Sequence, residues 1–462
     1  MSGFLLLLFV SAYSQEIEHA VIYGNTEDLG YFYVDLWVGT PPKKQTVIID
    51  TGSRITAFPC AGCRDCGTHM DSYFDYRNSS TSSVLNCNQN IPCSPCKNDQ
   101  CGYSQSYAEG SSIAGILVED FIMFGDDFQH SKRVKFVFGC HNRETNLFRT
   151  QKADGIMGLA FAKSRMPTLV DALFSDHDIS TDIFAICFGK NDGYMTIGGY
   201  NSSLHLSEVA WANLHDDTFY SINWHGLKVD GNKIELSASD FSRQYGTGTI
   251  VDSGTTFVYL HQPLYEALWS HFESACSKAG KCDGEKVSIP NEPHLCYNYD
   301  DDSYPDIFAF YDTFPIFTLL IENIEVQWLP ENYLFAWPSY PRSYCLGIYS
   351  DGQGCNVLGG IFSRGMDVIF DRTTNKIGFA DSECNPLHIS QTHNNRTFYN
   401  QTQTSNKTAV EEGNRWIVSA AVAISGASLG LIGLLMYKII KKCRRKSILE
   451  IRDEESEPGS SV

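Results

Sequence analysis

Two copies of one short motif constrain this chain more than any other feature of its sequence. In residues 47–53 a run of β-branched residues, which favour strands, carries Asp50 into a tight Thr-Gly turn. Residues 249–256 repeat the pattern around Asp252, 202 residues later. A lone Asp-Ser/Thr-Gly-Ser/Thr is a weak signal, because a chain of this length contains one by chance in roughly a few per cent of cases. Two copies, each after an apolar strand, predict two lobes that each contribute one aspartate.

Composition indicates a folded, acidic protein. Hydrophobic residues make up 43% and aromatic residues 13% of the 462 positions, as in globular proteins. This length allows about two or three domains. The net charge of −19 argues against nucleic acid as a partner, because phosphate recognition needs a basic surface. The charge either favours basic substrates by long-range attraction or is an ordinary soluble acidic surface.

Both ends of the chain carry membrane-related signals. An apolar run over 4–10 and small residues at 12–14 predict a signal peptide over 1–14, with no Lys or Arg before it. Residues 417–437 contain no charged residue and are long enough to span a bilayer, and basic residues follow from Lys438. We therefore predict a transmembrane helix over 416–437 and a cytoplasmic tail over 438–462. The chain would then be a single-pass type I membrane protein of the secretory pathway (endoplasmic reticulum or later), with a lumenal or extracellular body.

Cysteine usage agrees with an oxidising compartment. Fifteen of the 16 cysteines precede the predicted span, and an oxidising lumen would convert most of them into disulfides. The spacing Cys60-x2-Cys63-x2-Cys66, with His69 nearby, is also compatible with a zinc site. For a secreted chain a disulfide-stapled insert over 60–101 is the better interpretation, so we expect no metal.

Asn-x-Ser/Thr triplets provide further signs of secretion. They predict N-glycosylation at Asn78, Asn201, Asn395, Asn400 and Asn406. Three of the five lie in the polar stretch 386–415, which we interpret as an exposed stalk in front of the membrane.

The folded body divides into two similar halves, for which we predict an N-terminal lobe over 31–203 and a C-terminal lobe over 204–385. The preceding segment, 15–30, is too short for a long inhibitory propeptide. Alternating apolar residues and turn residues predict a hairpin over 103–115 and strands at 31–38, 46–49, 366–370 and 376–380. Helical spacing with a nearby proline predicts helices at 166–174 and 263–276.

Paired carboxyl groups are suited to hydrolysing an amide with no metal and no cofactor. Two like charges at hydrogen-bonding distance cannot both ionise readily, so the pair holds one proton over a wide pH range. The ionised member takes a proton from water, and the protonated member gives one to the substrate carbonyl. We therefore predict Asp50 and Asp252 as the catalytic residues. Glycine in each turn lets the backbone approach the carboxyl groups closely, and neighbouring hydroxyls would donate hydrogen bonds to them.

On these motifs the chain resembles the pepsin-family (A1) aspartic proteases over about residues 31–381. The likeness rests on both aspartate turns, on residues 153–159 and 357–360, and on the closing run 368–380. The resemblance implies an all-β, bilobal endopeptidase that acts on polypeptides in a cleft between its lobes. It also implies that Tyr107 closes a flap over substrate, although an ordinary hairpin aromatic would look the same. The predicted substrate-binding residues are Tyr107, Glu109, Gly52, Gly254 and Thr255.

Within that family the Cys-rich insert is similar to the nepenthesin type. The runs 58–70, 104–110 and 139–148 are most similar to the plasmepsin V type of alveolate protists. That second likeness implies a membrane-anchored protease of the early secretory pathway that cuts after an Arg-x-Leu motif. It implies that Glu109 pairs with the substrate arginine as a charge-assisted contact. The alternative for Glu109 is a solvated acid without a partner.

The resemblance also implies a disulfide scheme that sequence alone does not determine. The implied pairs are Cys60–Cys63, Cys66–Cys140, Cys87–Cys101, Cys93–Cys96, Cys187–Cys384, Cys276–Cys282 and Cys296–Cys345. Cys355 lies outside them.

Three residues depart from the family pattern. Arg54 follows the first turn where serine is usual, Ala57 replaces a tryptophan that supports the flap tyrosine, and Gly360 replaces a common acidic residue. The first two predict a changed hydrogen-bond chain beside the flap, and with it narrower specificity and altered inhibitor sensitivity. Two other functions remain open: a sheddase of membrane proteins, and a catalytically silent receptor of the same fold. Both aspartate turns are intact, which argues against the silent receptor.

Overall fold

The computed structural model describes residues 17–385, apart from 89–90, 161–165, 216–217, 242–247, 291, 294 and 353–354. The predicted signal peptide, stalk, transmembrane helix and tail lie outside the described residues, and so do Asn395, Asn400 and Asn406. Within the described part of the chain, no helix has the length and apolar character needed to cross a membrane.

The described residues are built mainly from β-strands. The strands of the first half are β1 Glu18–Asn25, β2 Tyr31–Val38, β3 Lys43–Asp50, β4 Ala57–Pro59, β5 Ser83–Val84, β6 Cys96–Lys97, β7 Gln100–Ser106, β8 Ser112–Phe124, β9 Arg133–Glu144, β10 Gly155–Gly158, β11 Ile183–Phe188 and β12 Asp192–Ile197. The strands of the second half are β13 Ala210–Asn213, β14 Ser221–Ile222, β15 Trp224–Val229, β16 Asn232–Lys233, β17 Thr249–Val251, β18 Val258–His261, β19 Glu285–Ser288, β20 Leu295–Asn298, β21 Phe317–Ile321, β22 Ile324–Trp328, β23 Leu334–Trp337, β24 Tyr340–Leu346, β25 Ile348–Gly352, β26 Val357–Leu358, β27 Met366–Asp371 and β28 Lys376–Asp381.

The helices in the described residues run from four to 15 residues. They are α1 Leu147–Thr150, α2 Leu169–Ser175, α3 Ala238–Phe241, α4 Gln262–Cys276, α5 Ile307–Tyr311 and α6 Pro330–Tyr333, with 3₁₀ turns at Tyr76–Asn78 and Ser202–Leu204. α2 begins three residues later than the predicted 166–174. The cause is a capping box, in which Thr168 accepts a hydrogen bond from Asp171 N and the Asp171 carboxylate accepts from Thr168 N.

The largest sheet runs continuously through both halves of the described chain. Its strand order is β13-β28-β27-β11-β12-β1-β2-β3-β10-β4-β9-β8-β7-β6, with β5 on β8. Aromatic stacking crosses the same junction, since the ring centroids of Phe184 and Phe370 are 4.6 Å apart. Three smaller sheets complete the second half, in the orders β14-β17-β26-β18-β25, β16-β15-β21-β22 and β19-β20-β24-β23.

The segment 15–30, which the sequence analysis set apart from the lobes, contains the first strand of the large sheet. β1 pairs with both β12 and β2, with Val21 opposite Tyr194. The turn after β1 is tied to the second half, because Arg364 Nη1 donates to Glu27 Oε1 at 3.1 Å. Sequence reasoning therefore missed β1, the strand that precedes residues 31–38. β1 was missed because one of its pairing partners, β12, lies about 170 residues further along the chain, and such a pairing leaves no local pattern in the sequence.

Seven disulfides are present in the described residues, and four of the implied pairings are wrong. The insert contains Cys60–Cys140, Cys63–Cys66, Cys87–Cys96 and Cys93–Cys101 instead. The three remaining pairs coincide with the implied scheme: Cys187–Cys384, Cys276–Cys282 and Cys296–Cys345. Cys355 is buried and lies outside all seven. The pairing follows from proximity. Because β4 runs beside β9, the Cα atoms of Cys60 and Cys140 are 5.3 Å apart and the two residues form a disulfide. Cys63 then pairs with Cys66.

Candidate active site

The two aspartate turns have the same structural support. β3 ends at Asp50, and β10 runs parallel to it with Gly158 opposite Asp50. β17 leads to Asp252, and β26 runs parallel to it with Leu358 opposite Val251. The backbone of each neighbouring strand is hydrogen-bonded to the aspartate, through Leu159 N to Asp50 O (2.8 Å) and Asp252 N to Leu358 O (3.0 Å). The Gly-bearing apolar runs at 153–159 and 357–360 therefore support the two aspartates in the same way.

Reciprocal hydrogen bonds join the two turns. Ser253 Oγ accepts from Thr51 N at 3.0 Å, and Thr51 Oγ1 accepts from Ser253 N at 2.9 Å. Each hydroxyl then donates to a carbonyl of the opposite strand, Thr51 to Val251 O (3.2 Å) and Ser253 to Ile49 O (2.9 Å). All of these groups are buried, so the two turns are held together as one unit.

Each carboxyl group is also bound within its own turn. Gly52 N donates to Asp50 Oδ1 at 2.9 Å, and the Ser53 hydroxyl donates to Asp50 Oδ2. Gly254 N donates to Asp252 Oδ1 at 3.0 Å, and Thr255 Oγ1 donates to Asp252 Oδ2 at 2.7 Å. The two carboxyl groups lie close enough that each changes the pKa of the other.

The glycine of each turn faces the carboxyl group of the other turn. A Cβ atom at Gly254 would lie 2.2 Å from Asp50 Oδ1, and one at Gly52 would lie 2.7 Å from both carboxyl oxygens of Asp252. Any side chain there would push the pair apart, so only glycine allows this approach. Gly52, Gly254 and Thr255 thus contact the carboxyl pair, and their contact with substrate stays a prediction.

Burial and mutual repulsion make the pair hard to ionise fully. Burial, followed by the charge of Asp252, raises the pKa of Asp50 to about 8, against the opposing hydrogen bonds from Ser53 and Gly52. Burial also raises the pKa of Asp252, and hydrogen bonds from Thr255 and Gly254 oppose this rise. Because the two groups titrate together, the pair retains one shared proton between its first and second ionisations.

Tyr107 lies over the first aspartate turn. It follows β7 at the tip of the hairpin with β8, where Tyr107 N donates to Ser111 O at 2.9 Å. Its buried hydroxyl faces Ser53 and Asp50: burial and then the charge of Asp50 raise the pKa of Tyr107 well above its usual value. The hairpin predicted over 103–115 therefore reaches the carboxyl pair.

Glu109 lies two residues beyond Tyr107 and is half-buried. Its Oε1 accepts a hydrogen bond from Ser111 N at 3.2 Å, which fixes the carboxylate on the tip of the hairpin. Whether Glu109 pairs with a substrate arginine stays a prediction.

Arg54 and Ala57, two of the three residues that depart from the family pattern, follow the first turn in the chain. Ala57 is fully buried, in register with Ile156 on β10 and Gly139 on β9. The aromatic neighbour of Tyr107 is Phe148, with ring centroids 4.9 Å apart. Sequence reasoning missed this role of Phe148, although the run 139–148 was already noted as a likeness.

The other two departures have less effect on packing. Arg54 is exposed next to the first turn. Gly360 N donates to Thr255 O at 2.7 Å, and a Cβ atom at Gly360 would make only ordinary contacts, 3.6 Å from Thr255 O. Packing therefore does not require glycine at position 360.

The Cys-rich insert is not a zinc site. All seven cysteines of 60–101 form disulfides, which leaves no thiolate there to bind the metal. Across the described residues, no group of three or more His, Cys, Asp or Glu side chains has metal-binding geometry.

The chain is similar in sequence to known proteases. The chain is 28% identical over 431 residues to aspartic protease 5 of Toxoplasma gondii, covering 82% of this chain and 39% of that relative's length. It is 26% identical over 450 residues to plasmepsin V of Plasmodium falciparum, covering 80% of this chain and 73% of the relative. Nepenthesin-1 of Nepenthes gracilis is 25% identical over 366 residues, covering 77% and 78%.

The model of the eukaryotic aspartyl protease family matches residues 31–382. The match includes both aspartate turns and the hairpin that covers them. Because it extends over most of the chain, this protein belongs to the eukaryotic aspartyl protease family and is a hydrolase that cleaves peptide bonds.

Proposed function

We propose that Asp50 and Asp252 are the catalytic residues of this endopeptidase and activate one water molecule for attack on the scissile carbonyl. The observation that carries this assignment is that the two aspartate turns are cross-bonded to each other and that the glycine of each turn faces the carboxyl group of the other. Such a pair supplies a base and an acid at the same place.

The reaction follows from the shared proton. The ionised oxygen of the pair takes a proton from water while the protonated oxygen gives its proton to the substrate carbonyl, which forms a tetrahedral diol. Collapse of the diol breaks the C–N bond: one diol hydroxyl returns its proton to the ionised oxygen of the pair, while the protonated oxygen gives its proton to the departing amine. The products are a carboxylic acid and an amine, and the pair returns to one shared proton. Tyr107 would close over the substrate and exclude bulk water.

Substitution of either aspartate tests the assignment. Purified full-length Asp50→Asn and Asp252→Asn proteins should lose at least about 1,000-fold in kcat on a peptide library, since neither can hold both roles of the pair. Asp127→Asn is the matched control, because Asp127 is an exposed surface carboxylate. Cleavage by either active-site variant at the wild-type rate would refute the assignment. Loss of cleavage in all three would indicate damage unrelated to the pair.

Glu109 is our proposed determinant of substrate choice, through a substrate arginine near the cleaved bond. The proposal is supported by the likeness to the plasmepsin V type, by the position of Glu109 beside Tyr107, and by the fixed carboxylate. A guanidinium would receive a charge-assisted contact there.

Paired peptides that differ only in Arg or citrulline provide the test. Glu109→Gln should abolish the preference for Arg and leave the cleavage rate of citrulline peptides unchanged. Equal cleavage of both peptides by wild type would remove the proposal.

We further propose that the protease processes proteins of the secretory pathway as a type I membrane protein with a glycosylated stalk. The support is the sequence pattern at 1–14, 386–415, 416–437 and 438–462. Glycosidase treatment should reduce the apparent mass, and protease added outside intact microsomes should remove only the tail. Release of the full-length protein from membranes by alkaline carbonate would contradict the transmembrane helix.

The sheddase role is tested with membrane-anchored substrates. If they are cut near the bilayer whether or not Arg is present, the sheddase role replaces the Arg-directed one.

A further inference from the structure

A buried cluster of ionisable side chains lies beside the flap hairpin and outside the carboxyl pair. Glu144, at the end of β9, accepts hydrogen bonds on both carboxylate oxygens: from His141 Nδ1 on Oε1 (2.9 Å) and from His69 Nε2 on Oε2 (3.2 Å). Gly67 N donates to Oε2 as well, at 3.2 Å. The side chains of all three ionisable residues are completely buried. A buried carboxylate with donors on both oxygens is strongly held in place.

The geometry also defines the charge of the cluster. Both ring nitrogens of His69 face acceptors, Glu144 Oε2 and the backbone carbonyl of Gln151 at 3.2 Å. Two acceptors require two N–H groups, so His69 is an imidazolium in this arrangement. Its charge balances the carboxylate of Glu144.

This cluster joins the Cys-rich insert to the segment that follows β9. His69 belongs to the insert, and Met70 N next to it donates to Lys152 O at 2.9 Å. Tyr73 Oη donates to Gly67 O and braces the same loop. Glu144 therefore forms the bond between two parts of the chain that are 75 residues apart.

The residues directly after Glu144 hold the tip of the flap. Thr145 N donates to Ser112 O (3.0 Å), Asn146 Nδ2 donates to Gly110 O (2.8 Å), and Leu147 N donates to Ser111 Oγ (3.2 Å). Phe148 then packs its ring on Tyr107. A short path of bonded residues therefore connects the buried carboxylate to the flap tyrosine.

We propose that Glu144 is a positioning residue for the flap: bound by His69 and His141, it holds residues 145–148 where they fasten the flap tip over the carboxyl pair. Glu144 does not touch substrate, since it is buried beneath the flap strand. The proposal rests on the proposed function, because the flap matters only if substrate binds under it.

Electrostatics agree with a charged, fixed cluster. Hydrogen bonds from His141 and His69 outweigh burial and lower the pKa of Glu144 to about 2, and its partners raise the pKa of His69. Burial lowers the pKa of His141, against the opposing contacts with Glu144. The other ionisable groups that face the cluster are Tyr73 from the insert, Tyr103 from β7 and Asp154 before β10.

The test compares Glu144→Gln with His205→Gln in the full-length protein. His205 forms the matched control, a buried His–carboxylate pair with Asp367 (2.9 Å) far along the large sheet from the flap. Glu144→Gln should raise KM about 5- to 20-fold with kcat within about threefold of wild type, because binding under the flap is weakened while the pair is intact. His205→Gln should leave KM unchanged. If Glu144→Gln does not fold, His69→Gln is used in its place, because that variant keeps the contact between His141 and Glu144.

Hydrogen exchange gives a readout that does not depend on activity. Amides of residues 105–112 should exchange faster in Glu144→Gln than in wild type, and at the wild-type rate in His205→Gln. Unchanged KM and unchanged flap exchange in a folded Glu144→Gln protein would overturn the proposal. A wild-type protein without any peptidase activity would refute the proposed function. The hydrogen-exchange rates of the flap would still show whether Glu144 holds the flap in place.

A double-mutant cycle tests the path itself. If Glu144 acts through Phe148, the rise in KM for Glu144→Gln combined with Phe148→Leu should be no greater than that of the larger single variant. Multiplicative effects of the two changes would show that the carboxylate does not act through that contact.

Discussion

Thr51 and Ser253 exchange hydrogen bonds between their backbone N–H groups and hydroxyls, across 202 residues of chain, at 3.0 and 2.9 Å. Neither residue carries the chemistry, yet each is the immediate neighbour of an aspartate. The contact converts two separate turns into a single support, and the separation of the two carboxyl groups is set by it.

Removal of one hydroxyl from this contact should damage both stability and catalysis. Thr51→Ala leaves Ser253 N buried without its acceptor, which costs about 1–3 kcal/mol of unfolding free energy. Small displacement of the pair should lower kcat about 10- to 100-fold. Chemical denaturation and steady-state kinetics measure the two effects, and Thr51→Ser, which keeps the hydroxyl, is the control. Wild-type kcat in the alanine variant would show that the contact does not set the geometry of the pair.

The pH dependence of stability should reveal the carboxyl pair. The pKa of Asp50 is raised from 3.8 to about 8 in the fold, so the folded state binds a proton that the unfolded chain releases. Stability must then fall as pH rises from about 4 to about 8. Asp50→Asn, which has no proton to lose, should give a flatter profile and a more stable protein at pH 7. The control Asp127→Asn should keep the wild-type slope, and parallel curves for all three proteins would contradict the raised pKa.

The cluster around Glu144 should contribute stability within a defined pH window. Glu144 has its pKa lowered from 4.5 to about 2, so its contribution is complete above pH 4.5 and is lost as pH falls towards 2. His69 has a raised pKa, so its contribution is complete below 6.5 and is lost as pH rises through the folded-state pKa. The stability difference between wild type and Glu144→Gln should therefore be largest between about pH 4.5 and 6.5. A difference independent of pH from 3 to 9 would exclude an ion pair.

Disulfide pairing in the insert has unequal consequences for stability. Cys60–Cys140 closes 80 residues and Cys63–Cys66 closes three, so chain entropy predicts losses of about 4.5 and about 1.6 kcal/mol when each pair is replaced by serine. Peptide mapping of the oxidised protein should recover Cys60 joined to Cys140. A Cys66–Cys140 peptide would instead support the pairing implied by resemblance.

Local pattern was sufficient to predict much of the fold. Strand β2 lies where the alternation of residues 31–38 predicted it, and α4 begins one residue before the predicted helix. These elements depend on neighbours in the sequence, whose periodicity can be seen directly. The start of α2 was predicted less accurately, because the capping bonds of Thr168 outweighed the apolar spacing before it.

The sequence by itself determined that this protein has two equivalent aspartate turns, each after an apolar strand and each matched by a Gly-bearing run. It did not determine which cysteines pair, that residues 18–25 enter the large sheet, or that Glu144 meets His69. Those outcomes depend on which residues far apart in the chain come close together, and that is decided only when the strands pair. The reaction could thus be predicted from short motifs, while the support of the flap was decided by the tertiary structure.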